Sequence, residues 1–122
     1  MGERTVGVQP GDLGQTIANL QTIIVGRWTA APEQSYTARL LTGPEDYLLK
    51  KLVEESAELT LAVKDTDHDH IRYEAADLLY HLLVALERSG VSLTELAGEL
   101  NARFPGYAGP NTAAEEGQEL PG

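Results

Sequence analysis

Apolar residues follow a helical period soon after the start of the chain. Leu13, Ile17, Leu20 and Ile24 are separated by four, three and four residues. This spacing places their side chains on one stripe of a helix. The preceding Asp12 is a residue type that caps helix N-termini. We therefore predict a first helix that ends near residue 26.

Two longer helices are predicted in the middle of the chain. Pro44 opens the second helix, because proline in a first turn loses no hydrogen bond, and the pattern continues to about Lys64. The polar segment 65–70 predicts a turn. The third helix then extends to about Ser89, with Gly90 as its C-terminal cap.

A fourth, shorter helix follows the glycine. The segment 92–95, Ser-Leu-Thr-Glu, matches a capping box, and the helix should end near residues 104–105. Segment 29–43 lacks a clear period and is predicted to be irregular. No segment shows the strict alternation of a strand.

These elements predict an all-α fold, an antiparallel bundle of about four helices. Residues 12–105 should form the domain. Residues 1–11 are predicted to be a flexible arm, and residues 106–122, rich in Gly, Pro, Ala and Glu, a disordered tail.

Composition excludes several classes of function. The net charge of −10 argues against a nucleic-acid-binding protein, which needs a basic surface to displace counterions. The chain has no cysteine, so disulfides and thiolate metal sites are excluded. No apolar stretch reaches the length of a membrane span. We expect a cytoplasmic protein with no nucleic-acid or membrane partner.

Two pairs of carboxylates carry the candidate chemistry. Glu55 and Glu58 lie three residues apart on the second predicted helix, and Glu74 and Asp77 do so on the third. Each pair lies on one helix face, and the short turn makes the two helices antiparallel neighbours, so the pairs can face each other. Two such charges ~4 Å apart cost roughly 4 kcal/mol at an effective dielectric of 20. Oxygen ligands alone suit Mg²⁺, with Mn²⁺ as an alternative.

The surroundings of the second pair strengthen this interpretation. The third helix is apolar on nearly all sides between residues 75 and 86, which predicts burial on most sides. Acids in such a helix are costly unless they have a partner or a function. Either pair alone is typical of a solvated face, and a non-catalytic helical interaction module therefore stays open.

Three blocks of sequence resemble a known family. They are Ser35-Tyr36-Thr37-Ala38-Arg39-Leu40-Leu41, Lys50-Lys51-Leu52-Val53-Glu54-Glu55, and the longest, Tyr73-Glu74-Ala75-Ala76-Asp77-Leu78-Leu79-Tyr80-His81-Leu82-Leu83. Together with Glu58 they resemble the all-alpha nucleoside triphosphate pyrophosphohydrolases of the MazG type, and within them the phosphoribosyl-ATP pyrophosphatase family.

The resemblance implies hydrolysis of phosphoribosyl-ATP, a small-molecule nucleotide, to phosphoribosyl-AMP and pyrophosphate, the second step of histidine biosynthesis. It also implies a homodimer in which the helices of two chains complete one bundle. A house-cleaning pyrophosphohydrolase acting on dCTP, dUTP or damaged nucleotides remains an alternative with the same metal site.

Roles can be assigned to residues beside the four metal ligands. Glu54 is the candidate to orient or deprotonate the attacking water, or else a solvated acid. Lys51 shares a helix face with Glu55 and could bind a substrate phosphate or simply pair with Glu55. Tyr36 and Arg39, in the predicted loop, are candidate substrate contacts, since the arginine fork suits phosphate.

Histidines give weaker signals. His81, one turn after Asp77, is a candidate substrate contact, although a buried packing role with a hydrogen bond to a carboxylate is favoured. Segment 67–70, Asp-His-Asp-His, could be a metal cluster. Its position in a turn before a helix favours a capping acid and exposed histidines instead.

Overall fold

The computed structural model describes residues 5–105, so the predicted tail, 106–122, and the first four residues of the predicted arm lie outside it. The chain divides into two compact units after Ser89. The described part of the first unit contains α1 (Leu13–Gly26), a short 3₁₀ helix (Arg27–Thr29), α2 (Tyr36–Thr42), α3 (Glu45–Asp65) and α4 (His68–Ser89). That of the second contains α5 (Leu93–Arg103). The all-α class is confirmed, with five α-helices in residues 5–105 rather than about four.

The predicted caps account for several helix boundaries. The Asp12 side chain accepts a hydrogen bond from the Gln15 backbone N–H (3.2 Å), and Ser92 accepts one from Glu95 N–H (3.1 Å). These bonds satisfy N–H groups that have no partner inside the helix. Gly90 has φ +80°, the left-handed conformation that favours glycine after a helix.

Segment 29–43 was predicted to be irregular, and this prediction was wrong. It contains the whole of the seven-residue α2, whose N-cap Ser35 accepts from Ala38 N–H at 3.1 Å. A helix this short does not form from its own propensity. Its stability comes from burial of Ala38, Leu40 and Leu41, which are at most 2% exposed. A hydrogen bond from Arg88 of α4 to the Leu40 carbonyl (2.8 Å) also holds it.

Two predicted boundaries shift. Pro44 is the residue before α3 rather than part of its first turn. The turn predicted over 65–70 shrinks to two residues, because α4 begins at His68. The Asp67 carboxylate caps this helix by accepting from His70 N–H (3.2 Å). Residues 68–70 are therefore helical, and their side chains acquire fixed directions relative to Glu74.

The core of the first unit lies where α1, α2, α3 and α4 meet. Its largest fully buried side chains are Ile24, Leu40, Leu41, Leu48, Leu83 and Val84. Helix α4 contacts all three of the others, most extensively α3. It is less buried than predicted, since Ala75, Ala76 and Leu82 are exposed. No helix within residues 5–105 is long and apolar enough to cross a membrane.

Candidate metal centre

The two helices that carry the predicted ligands run antiparallel. Glu58 of α3 lies beside Glu74 of α4, close enough for their carboxyl groups to share a hydrogen bond when one is protonated. One turn earlier on α3, Glu55 lies beside Asp77 in the same way. Residue numbers thus rise along one helix as they fall along the other. The two carboxylate pairs face each other across the interface, as the spacing predicted.

Three of the four acids form a tight group. Oxygen atoms of Glu55, Glu58 and Glu74 all lie within 4.8 Å of one another. Glu55 is 4% and Glu74 5% exposed, while the Glu58 side chain is exposed. Asp77 is not a member of this group but adjoins Glu55. The structure therefore brings all four predicted ligands into one region, and three of them into reach of a single ion.

Two buried oxygens in this group lack partners. Oε1 of Glu55 and Oε1 of Glu74 have no hydrogen-bond donor within reach among the described residues. Leaving a buried acceptor unsatisfied costs about 1–3 kcal/mol, and more for a charged group. A hard divalent cation, which prefers oxygen ligands, would remove this cost. The residues present therefore fit a metal ion, and the group is an acidic cluster able to hold one.

The protonation of the cluster reflects the same crowding. Desolvation raises the pKa of Glu58, although part of its side chain is exposed, and the charges of Glu74 and Glu55 raise it further. Burial also raises the pKa of Asp77, and the adjoining Glu55 adds to the effect. In the absence of a cation, the folded protein thus holds protons at this site more tightly than an unfolded chain would.

Lys51 provides the nearest positive charge. Its Nζ lies 3.2 Å from Oε2 of Glu55 and 3.8 Å from Oε1 of Glu54. Burial alone would lower the pKa of Lys51, but the hydrogen bond and charge of Glu55 outweigh it and the pKa is raised. The ion pair with Glu55, one of the two roles left open by the sequence, is therefore present. Glu54 is 45% exposed and also lies 3.8 Å from Lys50.

Tyr36 and Arg39 lie on α2, not in a loop as predicted. The Tyr36 hydroxyl donates to Nε2 of His81 (2.9 Å), and Nδ1–H of His81 donates to the backbone carbonyl of Asp77 (2.9 Å). A carbonyl can only accept, which assigns the proton to Nδ1. Burial, then the hydrogen bond to Tyr47, raises the pKa of Tyr36, so its hydroxyl stays protonated at neutral pH.

His81 is buried, with 3% of its surface exposed. Its predicted hydrogen bond to a carboxylate is wrong, because its partners are a backbone carbonyl and a tyrosine hydroxyl. The ring also packs edge-on against Tyr36 and Tyr80. This arrangement connects α2 to the turn of α4 that contains Asp77.

Arg39 extends toward solvent beside a cavity. Its guanidinium carbon lies 5.6 Å from the centre of the Tyr36 ring, and Nη1 donates to the Pro32 carbonyl (2.7 Å). The cavity measures about 490 Å³. It is lined by Pro32, Arg39, Thr42, Gly43, Pro44 and Tyr47. Tyr47, Lys51 and Glu55 occupy successive turns of α3, so this cavity and the acidic cluster lie along one face of that helix.

Segment 67–70 behaves only partly as predicted. Asp67 caps α4 and His68 is exposed, both as expected. His70 is not exposed: 15% of its side chain is accessible, and its Nε2 lies 3.1 Å from Oε2 of Glu74. Sequence reasoning missed this contact because it placed residue 70 in a turn. The four-residue spacing from His70 to Glu74 was the available signal.

Comparison with known proteins agrees with this geometry. The family model described as phosphoribosyl-ATP pyrophosphohydrolase matches residues 17–104. A phosphoribosyl-ATP pyrophosphatase of Rhizobium rhizogenes is 43% identical over 90 residues, 74% of this chain and 86% of the relative. One from Nitrosomonas eutropha is 39% identical over 105 residues, 86% of this chain and 89% of the relative.

A longer relative is also similar. The histidine biosynthesis bifunctional protein HisIE of Wolinella succinogenes is 46% identical over 80 residues, which are 66% of this chain and 35% of that protein. The family model covers well over half of the chain, and its match includes both carboxylate pairs and α2. The chain belongs to the phosphoribosyl-ATP pyrophosphohydrolase family.

Proposed function

We propose that this protein is a hydrolase that cleaves phosphoribosyl-ATP to phosphoribosyl-AMP and pyrophosphate in histidine biosynthesis. The observation that carries the proposal is the group of three carboxylates within 4.8 Å in a chain of this family. A phosphoanhydride is cleaved by attack on a highly charged phosphoryl group, so catalysis depends on positioning and charge neutralisation. The site contains groups for both tasks.

The cofactor in this proposal is Mg²⁺, with Mn²⁺ as a substitute, held by Glu55, Glu58, Glu74 and Asp77. When bound, such a cation supplies neutralising charge for phosphate oxygens and acidifies water. The proposal is supported by the unpaired buried Oε1 atoms of Glu55 and Glu74. The cysteine-free, oxygen-only ligand set suits the same ions.

Glu54 is the proposed general base. Its carboxylate is close to solvent, at 45% exposure, and it lies 3.8 Å from both Lys50 and Lys51. It precedes the ligand Glu55 directly, so it can take a proton from water at the edge of the cluster while Glu55 faces inward.

Lys51, Tyr36 and Arg39 are the proposed substrate contacts. Lys51 can bind a phosphate oxygen beside the cluster while it keeps its contact with Glu55. Arg39 lies at the wall of the 490 Å³ cavity. Its Nη1 donates to the Pro32 carbonyl, and its other N–H groups can donate to a phosphate. The apolar side chains that line the cavity, with Tyr47 among them, suit a nucleobase.

His81 is proposed to act on substrate through Tyr36. Its Nε2 accepts a hydrogen bond from the Tyr36 hydroxyl, and its Nδ1–H donates one to the Asp77 carbonyl. Both ring nitrogens are therefore occupied, and the ring sets the direction of the tyrosine. Replacement of His81 by Phe should raise KM more than it lowers kcat.

A homodimer and a cytoplasmic location complete the proposal. Helix α3 exposes large apolar side chains at Leu49, Val53, Leu61 and Val63, between 47% and 71% accessible. An extended apolar surface of this kind is typical of a protein interface. The ATP-derived substrate and the cysteine-free sequence suit the cytoplasm. Sedimentation of the wild type and of Val53→Glu tests the dimer, which the charged residue should dissociate.

Pyrophosphate release tests the function. Phosphoribosyl-ATP, ATP, dCTP and dUTP are compared in millimolar Mg²⁺ and in EDTA. We expect release from phosphoribosyl-ATP that requires the metal and is lost in Glu55→Gln and Asp77→Asn. Preference for dCTP or dUTP would replace the substrate and keep the mechanism. No release from any nucleotide would refute the enzyme.

A further inference from the structure

His70 contacts the acidic cluster from outside the predicted ligand set. Its Nε2 lies 3.1 Å from Oε2 of Glu74, and the two side chains are only 15% and 7% exposed. An ionised carboxylate can only accept, so the imidazole carries its proton on Nε2 and donates it. The hydrogen bond uses one oxygen of Glu74. The other oxygen, Oε1, is buried and unpaired.

This division of the two oxygens has a geometric consequence. A glutamate carboxylate rotates freely about its last bond, because that torsion has no sharp preferred values. A hydrogen bond to one oxygen fixes the plane of the group and therefore the direction of the other. In this structure a Glu74 oxygen lies within 4.8 Å of oxygens of Glu55 and Glu58. His70 thus restrains the carboxylate in the cluster.

The start of α4 places the imidazole in this position. The Asp67 cap accepts from His70 N–H itself (3.2 Å), which fixes the first turn of the helix. His70 and Glu74 are then one turn apart on the same face. His68, two residues earlier, lies on a different side and is exposed. Only the second of the two histidines is directed at the cluster.

We propose that His70 is a positioning residue that orients Glu74 for a divalent cation, an inference that rests on the proposed function. The hydrogen bond holds the ligand in its binding direction before the ion arrives, so less conformational freedom is lost on binding. Hydrogen-bond partners of metal ligands typically contribute about 10–100-fold to metal affinity. His70 should raise cation affinity by an amount in this range without contacting substrate.

Direct measurement of Mn²⁺ binding tests the proposal. Free Mn²⁺ is followed by electron paramagnetic resonance in titrations of the full-length wild type, His70→Ala, His70→Gln and the control His68→Ala. We expect an affinity about 10-fold or more weaker in His70→Ala. His70→Gln keeps an N–H donor at similar reach and should recover most of the affinity. His68→Ala should match the wild type.

A kinetic measurement separates positioning from general damage. In His70→Ala the Mg²⁺ concentration for half-maximal pyrophosphate release should rise by the same factor as the Mn²⁺ dissociation constant. The kcat at saturating Mg²⁺ should stay within about threefold of the wild type, since the ligand set is intact. If His70→Ala does not fold, His70→Leu, which fills the space without an N–H donor, takes its place. An affinity about 10-fold weaker than that of His70→Gln supports the proposal, and equal affinities contradict it.

Several results would overturn it. Mn²⁺ affinity of His70→Ala within about twofold of the wild type would show that Glu74 needs no restraint. An equal loss in His70→Gln and His70→Ala would show that the imidazole itself, not its N–H donor, is required. Equal Mn²⁺ binding by the wild type and His70→Ala refutes the role of His70 and leaves the proposed function intact. A wild type that binds no metal and releases no pyrophosphate refutes the proposed function as well.

Discussion

Replacement of Glu74 by glutamine should make the metal-free protein more stable than the wild type and should remove most of the stabilisation by a divalent cation. Glu74→Gln removes one negative charge from the centre of the carboxylate group and keeps the size of the side chain. The amide oxygen still accepts from His70, and the amide N–H can donate to a neighbouring carboxylate that now lacks a partner. The variant therefore relieves repulsion without creating a cavity.

The size of the effect follows from the distances. Glu74 lies within 4.8 Å of two other carboxylates, and each pair of full charges repels by about 3.5 kcal/mol at that distance and an effective dielectric of 20. The raised pKa of Glu58 reduces this repulsion, because a protonated neighbour has no charge. We expect a net gain of about 1–3 kcal/mol in the free energy of unfolding without metal. This corresponds to about 4–12 °C in Tm.

Unfolding by urea and by heat, each in EDTA and in Mg²⁺, measures the metal-free stability and the stabilisation by Mg²⁺. The wild type should gain about 2.7 kcal/mol when Mg²⁺ is at 100 times its dissociation constant, and Glu74→Gln should gain little. Glu33→Gln, on an exposed segment between helices, is the control for loss of one charge from a chain of net charge −10. It should change stability by less than about 0.5 kcal/mol.

Two outcomes would contradict this prediction. A Glu74→Gln protein that is less stable than the wild type in EDTA would show that the carboxylates do not repel in the folded state. A stabilisation by Mg²⁺ equal to that of the wild type would show that Glu74 is not a ligand. Turnover should fall by more than about 10²-fold, since a metal site contributes several kcal/mol to the transition state.

Two further predictions concern charge. The raised pKa values of Glu58 and Asp77 mean that the folded protein binds more protons than the unfolded chain. The stability that this extra proton binding gives to the metal-free protein is complete below the ordinary pKa values, 4.5 for Glu58 and 3.8 for Asp77. It is lost as the pH rises through the raised pKa values. Urea unfolding in EDTA should show the wild type losing stability relative to Asp77→Asn as pH increases from about 4, and a constant difference would contradict this. Lys51→Met leaves the buried Glu55 without its partner at 3.2 Å and should cost about 2–3 kcal/mol without metal, less than for a fully buried pair. Lys50→Met, at a lysine that is 72% exposed, should cost less than about 0.5 kcal/mol, and equal losses would rule out a special role for Lys51.

The sequence by itself determined the helical class and the helix faces on which the four carboxylates lie. Side chains three and four residues apart share a helix face whatever the tertiary context, so the pairs Glu55–Glu58 and Glu74–Asp77 followed from spacing alone. The short polar segment 65–70 predicted that the two helices are antiparallel neighbours. Caps such as Asp12 act through local hydrogen bonds, which a sequence also displays.

Tertiary structure decided what depends on contacts distant in sequence. Helix α2 forms because α4 buries its apolar side chains and bonds one of its carbonyl groups. Its seven residues are too few for a helical period to predict it from the sequence. His81 accepts a hydrogen bond from Tyr36 of α2, a residue 45 positions earlier in the chain, and spacing cannot reveal such a partner. The contact of His70 with Glu74 depends on the start of α4 at His68. A residue inside the helix lies on the same face as the residue four positions later, whereas a residue in a turn has no such fixed direction. Helical spacing thus predicted which carboxylates share a face, whereas the packing of the helices decided which side chains contact them.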